Sequence, residues 1–172
     1  MNQIKKMKMI NMILVLTILQ SILSCNKKAE KEIFLIPYDY RGKVIIIYNW
    51  QNGAKERYEN GSRIYDIPIN GVLLTKFKDE YGIVNQTYYL VDSLGNRKLM
   101  EIIKDESRVN ANNIVAIYRA GSVGVYGDSE KSTSIKYQKF YVSDKQNFES
   151  YFNHKYNTAF DEKIKKLTGV SW

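Results

Sequence analysis

One residue of this chain has both the type and the setting for covalent chemistry: Cys25, the single cysteine among 172 residues. It follows Ile22-Leu23-Ser24, an aliphatic residue three before the cysteine and a small one beside it. That is the order of a lipobox, although Leu23 is bulkier than the usual occupant of its position. The thiolate is the nucleophilic form of cysteine. At such a site it takes up a diacylglyceryl group as a thioether, and cleavage before Cys25 frees its amine for further acylation. The upstream residues fit this chemistry. A basic start with Lys5, Lys6 and Lys8 leads into a mostly apolar run over residues 9–23, and the chain turns polar from Asn26 onward. This is the three-part plan of a secretory signal. The run is about 15 residues long and is interrupted by Asn11 and Gln20, whereas a spanning helix needs roughly 20. Cleavage of residues 1–24 is therefore expected rather than an uncleaved anchor. With no second cysteine there is no internal disulfide, and a lipidated thiol is not a reactive liability in an oxidising compartment. Two or three acyl chains, at about 0.8 kcal/mol per buried methylene, hold a protein far more firmly than one reversible chain.

Other residues with chemical potential lack partners in the sequence. His154 is the only histidine, and it falls on the polar side of an expected helix. Zinc sites and catalytic dyads use two or more such groups in concert, so a solvated surface histidine is the reading. Glu56, Glu59 and Asp66 flank neighbouring turns, and Asp79 with Glu80 precedes another. A glycosidase needs two carboxylates at a set separation, and nothing singles out such a pair, so these read as turn and surface charge. Residues 92–96 have oxygen ligands without the spacing of a calcium loop. Gly121-Ser-Val-Gly-Val-Tyr-Gly127 superficially looks like a phosphate loop, but it lacks the Gly-Lys-Ser/Thr ending and a following helix. A bulged strand connection is expected there. Tyr88, Tyr89, Tyr137 and Tyr141 would line a ligand face if exposed, and would serve equally as core. No catalytic residue, metal ligand or cofactor site is assigned. The only site residue is the lipidation site, Cys25.

These residues need elements to position them. Residues 26–32 read as a flexible tether and residues 33–172 as one domain. Strands are expected at 33–36 (stopped by Pro37), 43–50, 56–58, 62–67, 72–78, 84–91, 97–103, 114–118 and 134–142. Asn52-Gly53, Asn60-Gly61 and Asn70-Gly71 offer positive φ at low cost, as tight hairpins require. Ser143 and Gln146 fit a capping box opening a helix whose apolar face is Phe148, Tyr151, Phe152 and Tyr156. A second helical piece, 158–167, should end at Gly169. The fold class is mainly β: a small antiparallel β-sandwich, or else a partly open barrel, with one or two C-terminal α-helices.

The formal charge is +8; removing the three lysines of the signal leaves 23 basic against 18 acidic residues, or +5. The basic residues are dispersed, with none of the concentrated stripe or reading motif that a nucleic-acid surface needs.

Ile36-Pro37 with Tyr40-Arg-Gly42, Val44-Ile-Ile-Ile-Tyr48, Tyr58-Glu-Asn-Gly61, Arg63-Ile-Tyr-Asp-Ile-Pro68 and Asn70-Gly-Val-Leu-Leu-Thr75 form a recognisable series. Over residues 33–78 the chain resembles a family of uncharacterised bacterial lipoproteins with a domain of unknown function. The resemblance implies a lipid-anchored, β-sandwich-like domain and brings no catalytic residue or ligand.

The expectation for function is a membrane-anchored lipoprotein of the cell envelope. It would be a non-enzymatic binding or interaction module, for instance an accessory or immunity-type protein that holds another exported protein. An envelope glycan hydrolase and a purely structural component are the alternatives. The partners expected are the bilayer, through acylated Cys25, and another envelope protein. Asn26 is not the Asp that would retain a lipoprotein at an inner membrane, which favours the outer membrane.

Overall fold

The computed structural model describes residues 29–80, 85–105, 114–126 and 134–170. The signal segment and Cys25 lie outside the described residues. One compact unit takes in residues 30–79 and everything described from residue 85 onward.

Ten strands and two helices are found among the described residues of this unit. The strands are β1 (Lys31–Pro37), β2 (Gly42–Ile47), β3 (Tyr58–Glu59), β4 (Ser62–Asp66), β5 (Val72–Leu74), β6 (Gln86–Val91), β7 (Arg97–Leu99), β8 (Ile102–Ile103), β9 (Ala116–Tyr126) and β10 (Ile135–Ser143). Helix α1 (Lys145–Phe148) passes into a 3-10 turn (Glu149–Phe152), and α2 (His154–Thr168) follows. Five strands form one sheet in the order β3-β4-β1-β6-β7, and five form a second in the order β5-β2-β10-β9-β8. The sheets stack face to face as an open sandwich, so the mainly-β class stands.

The pairing is mixed rather than antiparallel throughout. Hairpins β3–β4, β6–β7 and β9–β10 are antiparallel, as is β2–β10, but β1 runs parallel to both β4 and β6, β2 to β5 and β8 to β9. The cause is the path of the chain. After β1 it turns into the other sheet as β2, returns as β4, crosses again as β5 and returns as β6. Each return therefore runs in the direction of the last strand laid in that sheet. Of the three Asn-Gly pairs, Asn60-Gly61 closes a two-residue hairpin, with φ of 49° and 73°. Asn70-Gly71 instead lies on a crossover between the sheets.

The core is the layer between the sheets. Phe34 stacks on Tyr65 at 4.9 Å and on Tyr88 at 4.6 Å, its register partners on β4 and β6. Phe140 from the opposite sheet meets Phe34 edge-on at 5.4 Å. Alternating residues Val44 and Ile46 of β2, with Tyr48 just past its end, complete the layer. Both faces of β2 are buried, because Ile45 and Ile47 pack outward against Phe160 and Ile164 of α2. A continuous β-branched run is what a doubly covered strand requires.

Several boundaries differ from expectation. The strand expected from Ile33 begins at Lys31, so Glu32 belongs to the fold rather than to the tether. The run 97–103 divides: β7 serves one sheet and β8 the other. The cap of α1 is Asp144, whose carboxylate accepts from the Asn147 N–H at 2.9 Å, while Ser143 is the buried last residue of β10. A break at Asn153 (ψ 152°) parts Tyr156 from Phe148, Tyr151 and Phe152, so the single face expected for them is spread over three pieces. Gly169 ends α2 in the left-handed region, as expected. No helix among the described residues is long and apolar enough to cross a membrane.

Candidate functional site

The strand directions give the sandwich two unlike ends. At the start of β1, Glu30 of the incoming chain meets Arg63 at the start of β4, Nε to Oε2 at 2.5 Å. At the other end β1 turns into β2 through residues 38–41, and the crossover at residues 67–71 lies alongside. This second end carries an open cleft.

Its walls are built from turn chemistry. The Tyr40 N–H donates to the Pro37 carbonyl at 2.9 Å, closing the turn, and the Tyr40 hydroxyl donates to the Lys43 carbonyl. Gly71, at φ +79°, presses so closely on Tyr40 that a side chain there would collide with the phenol. The Asn70 side chain accepts from the Val72 N–H at 2.9 Å, an Asx turn that holds the crossover. Helix α2 is then tied on from above. The Tyr156 hydroxyl accepts from the Lys43 N–H at 2.8 Å, and Lys163 Nζ donates to the Asn70 carbonyl at 2.8 Å.

The result is a cleft of about 350 Å³ between the two turns and α2. Tyr40, Ile69, Tyr156, Ala159 and Phe160 supply apolar and aromatic surface, and Asp39, Arg41 and Lys163 supply charge. Two ammonium groups flank the Phe160 ring, Lys43 at 4.5 Å and Lys163 at 4.9 Å, within cation–π range. Burial pulls the Lys43 ammonium below the ordinary lysine range, and Asp161, 3.9 Å away, opposes that shift. Burial raises the Tyr40 and Tyr156 phenols, which therefore stay neutral. Arg41 uses one nitrogen, Nη1, on the carbonyls of Tyr38 and Tyr40 at 3.0 and 2.7 Å. Among the described residues nothing accepts from its Nε or Nη2, so half of a planar fork is left for a ligand. The arrangement can hold an apolar group with an anionic one beside it.

A second polar assembly lies between the sheets toward the β1 start. The Tyr65 hydroxyl donates to Glu32 Oε1 at 3.0 Å, and Gln86 Nε2 donates to Glu32 Oε2 at 2.8 Å. The Tyr88 hydroxyl donates to Gln86 Oε1 at 2.9 Å, and the Tyr48 hydroxyl to Gln138 Oε1 at 2.7 Å. Burial raises the phenols of Tyr48, Tyr65 and Tyr88, with the Glu32 charge adding to it in each case. Apart from the half-buried Gln86 these groups are buried, which makes the assembly an internal brace.

The residues weighed from sequence fall elsewhere. His154 is exposed at the first position of α2. Glu59 holds Arg97 in a bidentate pair at 2.7 and 2.8 Å, Asp66 holds Arg57 at 2.5 Å, and Asp79 holds Lys136 at 2.8 Å. Glu56 and Glu80 are exposed. Glu59, Asp66 and Asp79 thus have cationic partners among the described residues, and the five carboxylates are not gathered around the cleft. Asp92 caps its own hairpin, accepting from the N–H groups of Leu94 and Asn96. The glycine-punctuated run is strand β9, bulged where Arg119 and Gly121 take positive φ and the register shifts; Gly127 lies outside the described residues. Tyr88 and Tyr141 are core, and Tyr89 and Tyr137 are partly buried. Among the described residues no group of three or more His, Cys, Asp or Glu could hold a metal ion.

Sequence reasoning singled out neither Glu32 nor the Arg41 cleft. For Glu32 the available signal was alternation: Glu32, Phe34 and Ile36 share one face once the strand is extended back to Lys31. For the cleft there was none, since its walls come from residues 39–41, 69 and 156–163.

Residues 28–152 match a family of unknown function, DUF6843. Among solved structures, a Bacillus anthracis protein named "Putative Lipoprotein" is similar in fold, with a TM-score of 0.58 and 18% identity over 84% of this chain and 98% of that one. Among curated proteins the sequence finds no match. The family match takes in both sheets, α1 and the 3-10 turn, and stops before α2, so one wall of the cleft lies beyond it. Covering well over half of the sequence, from just past Cys25 to Phe152, this match shows that the chain belongs to the family of unknown function DUF6843.

Proposed function

We propose that the protein is a lipid-anchored, non-enzymatic binding module of the bacterial cell envelope. In this reading acylated Cys25 is the anchor and the cleft between the 38–41 turn and α2 is the binding site. The observation that carries it is the half-unused Arg41 fork beside the exposed Ile69, above an aromatic floor of Tyr156 and Phe160. The lipobox order at Cys25 supports the anchor, and the name of the Bacillus anthracis neighbour agrees with it. The partner is another exported protein presenting an apolar side chain next to a carboxylate. Asn26 after the cysteine favours the outer membrane where the cell has one.

The test is cross-linking in intact cells with the wild-type chain and with a double variant, Arg41→Glu with Ile69→Asp. Both positions are exposed, and an unchanged circular dichroism spectrum of the variant checks that the fold is retained although Arg41 gives up its bonds to the Tyr38 and Tyr40 carbonyls. A partner captured by the wild type and lost by the variant is the expected result. Equal capture by both, or no specific capture by either, would refute the cleft as the site. Replacing Cys25 by Ser should move the protein from the membrane to the soluble fraction. Fractionation of the wild type between inner and outer membranes decides the placement.

A further inference from the structure

We propose that the end of the sandwich at the start of β1 seats on the anionic lipid surface of the membrane to which the chain is anchored, leaving the cleft pointing away from it. The proposal rests on Cys25 being the anchor. Its first support is length. From Cys25 to Lys31, where β1 begins, the chain spans at most roughly 20 Å, at about 3.5 Å per extended residue. The start of β1 is therefore held close to the lipid whatever path the intervening residues take.

The second support is charge at that end. Lys31, Lys55, Lys76 and Lys78 are all exposed, and none of their ammonium groups has a hydrogen-bond or ion-pair partner among the described residues. Backbone contacts show that they share one end. Lys76 N–H donates to the Ala54 carbonyl at 3.0 Å, bringing residue 55 beside it. The Lys78 carbonyl accepts from Arg63 Nη1 at 2.6 Å, and Arg63 also holds Glu30, next to Lys31. Of the carboxylates here, Glu30 is held by Arg63 and Asp79 by Lys136, while Glu56 and Glu80 are exposed. The four lysines thus outnumber the exposed Glu56 and Glu80 on the surface that the tether holds nearest to lipid. Basic side chains next to an anchor are drawn to anionic headgroups over about a Debye length, ~8 Å at physiological salt. The cleft is at the opposite end of β1, so this seating presents it outward.

The experiment uses the full chain produced in an exporting bacterial host and reconstituted in phosphatidylcholine vesicles with or without phosphatidylglycerol. A fluorophore is placed on Lys78→Cys or on Arg41→Cys, and quenching by headgroup spin-labelled lipid is measured. At least several-fold stronger quenching at position 78 than at 41 is expected in the anionic vesicles. The contrast should fall when Lys31, Lys55 and Lys76 are changed to Glu, and in high salt. Equal quenching at both positions, while vesicle flotation still depends on Cys25, would overturn the seating and leave the anchor standing. Flotation that does not depend on Cys25 would overturn both.

Discussion

Glu32 shows how much can hang on one side chain. Only 7% of its surface is exposed, and its two oxygens accept from the buried Tyr65 phenol and from the half-buried Gln86 amide. Leaving buried donors unpaired costs the full desolvation of each, and losing one member of a buried charged assembly costs more. Glu32→Ala is therefore expected to lower stability by about 2–4 kcal/mol in urea unfolding, with Glu32→Gln milder because it keeps one acceptor. A change below about 1 kcal/mol would mean that water replaces the carboxylate. The residue was hidden in the sequence because Asn26 to Glu32 is polar throughout except for Ala29. A charged residue at the start of a strand looks the same whether it faces water or a tyrosine and a glutamine.

The two helix caps make a matched pair at the scale of elements. Asp144 opens α1 and Asn153 opens α2, each accepting from an N–H three residues on, at 2.9 and 2.7 Å. Alanine at either cap should cost about 1 kcal/mol at neutral pH. Their pH dependence should differ. Hydrogen bonds, first from the Asn147 side chain, hold the Asp144 carboxyl below the ordinary carboxylate range. A folded pKa below the unfolded one adds stability that is present above the unfolded pKa and is lost as pH falls through the folded value. The Asp144→Ala penalty should therefore shrink on acidification through the carboxylate range, while that of Asn153→Ala stays level; thermal unfolding across that range checks it. Sequence pattern located both helical pieces and the Gly169 stop, but put the first cap one residue early. Ser143 and Asp144 are both good caps by type. Only the pairing of β10 with β9, which carries Ser143 opposite Ala116, assigns the role to the next residue.

For the whole molecule the decisive feature is that two separate apolar layers share β2. One lies between the sheets, and the other is built where Phe160 and Ile164 of α2 cover Ile45, Ile47 and Val72. Ile164 is fully buried, and truncating it to Ala should cost about 2–4 kcal/mol. The loss should be local at first. Hydrogen exchange is expected to quicken in α2 and at β5, with β1 keeping its protection, because local opening follows the contacts that are broken. Uniform acceleration across β1 and α2 would show that the two layers unfold as one. Detachment of α2 also removes a wall of the cleft, so this variant should lose partner capture along with the Arg41→Glu, Ile69→Asp pair.

The sequence by itself determined the strand-rich class, most strand positions, the terminal helices and the family resemblance seen over residues 33–78, which extends over residues 28–152. These are local properties: alternation, β-branching, turn residues and caps act within a few positions. Only the tertiary structure decided the mixed pairing, the enclosure of Glu32 and the cleft at Arg41. Each depends on which sheet the chain enters after a turn, and Asn70-Gly71 permits a crossover as readily as a hairpin. That choice is made by long-range burial, when Phe34, Tyr65, Tyr88 and Phe140 come together between the sheets. Once it is made, residues 39–41, 69 and 156–163 become neighbours, which no spacing along the chain records.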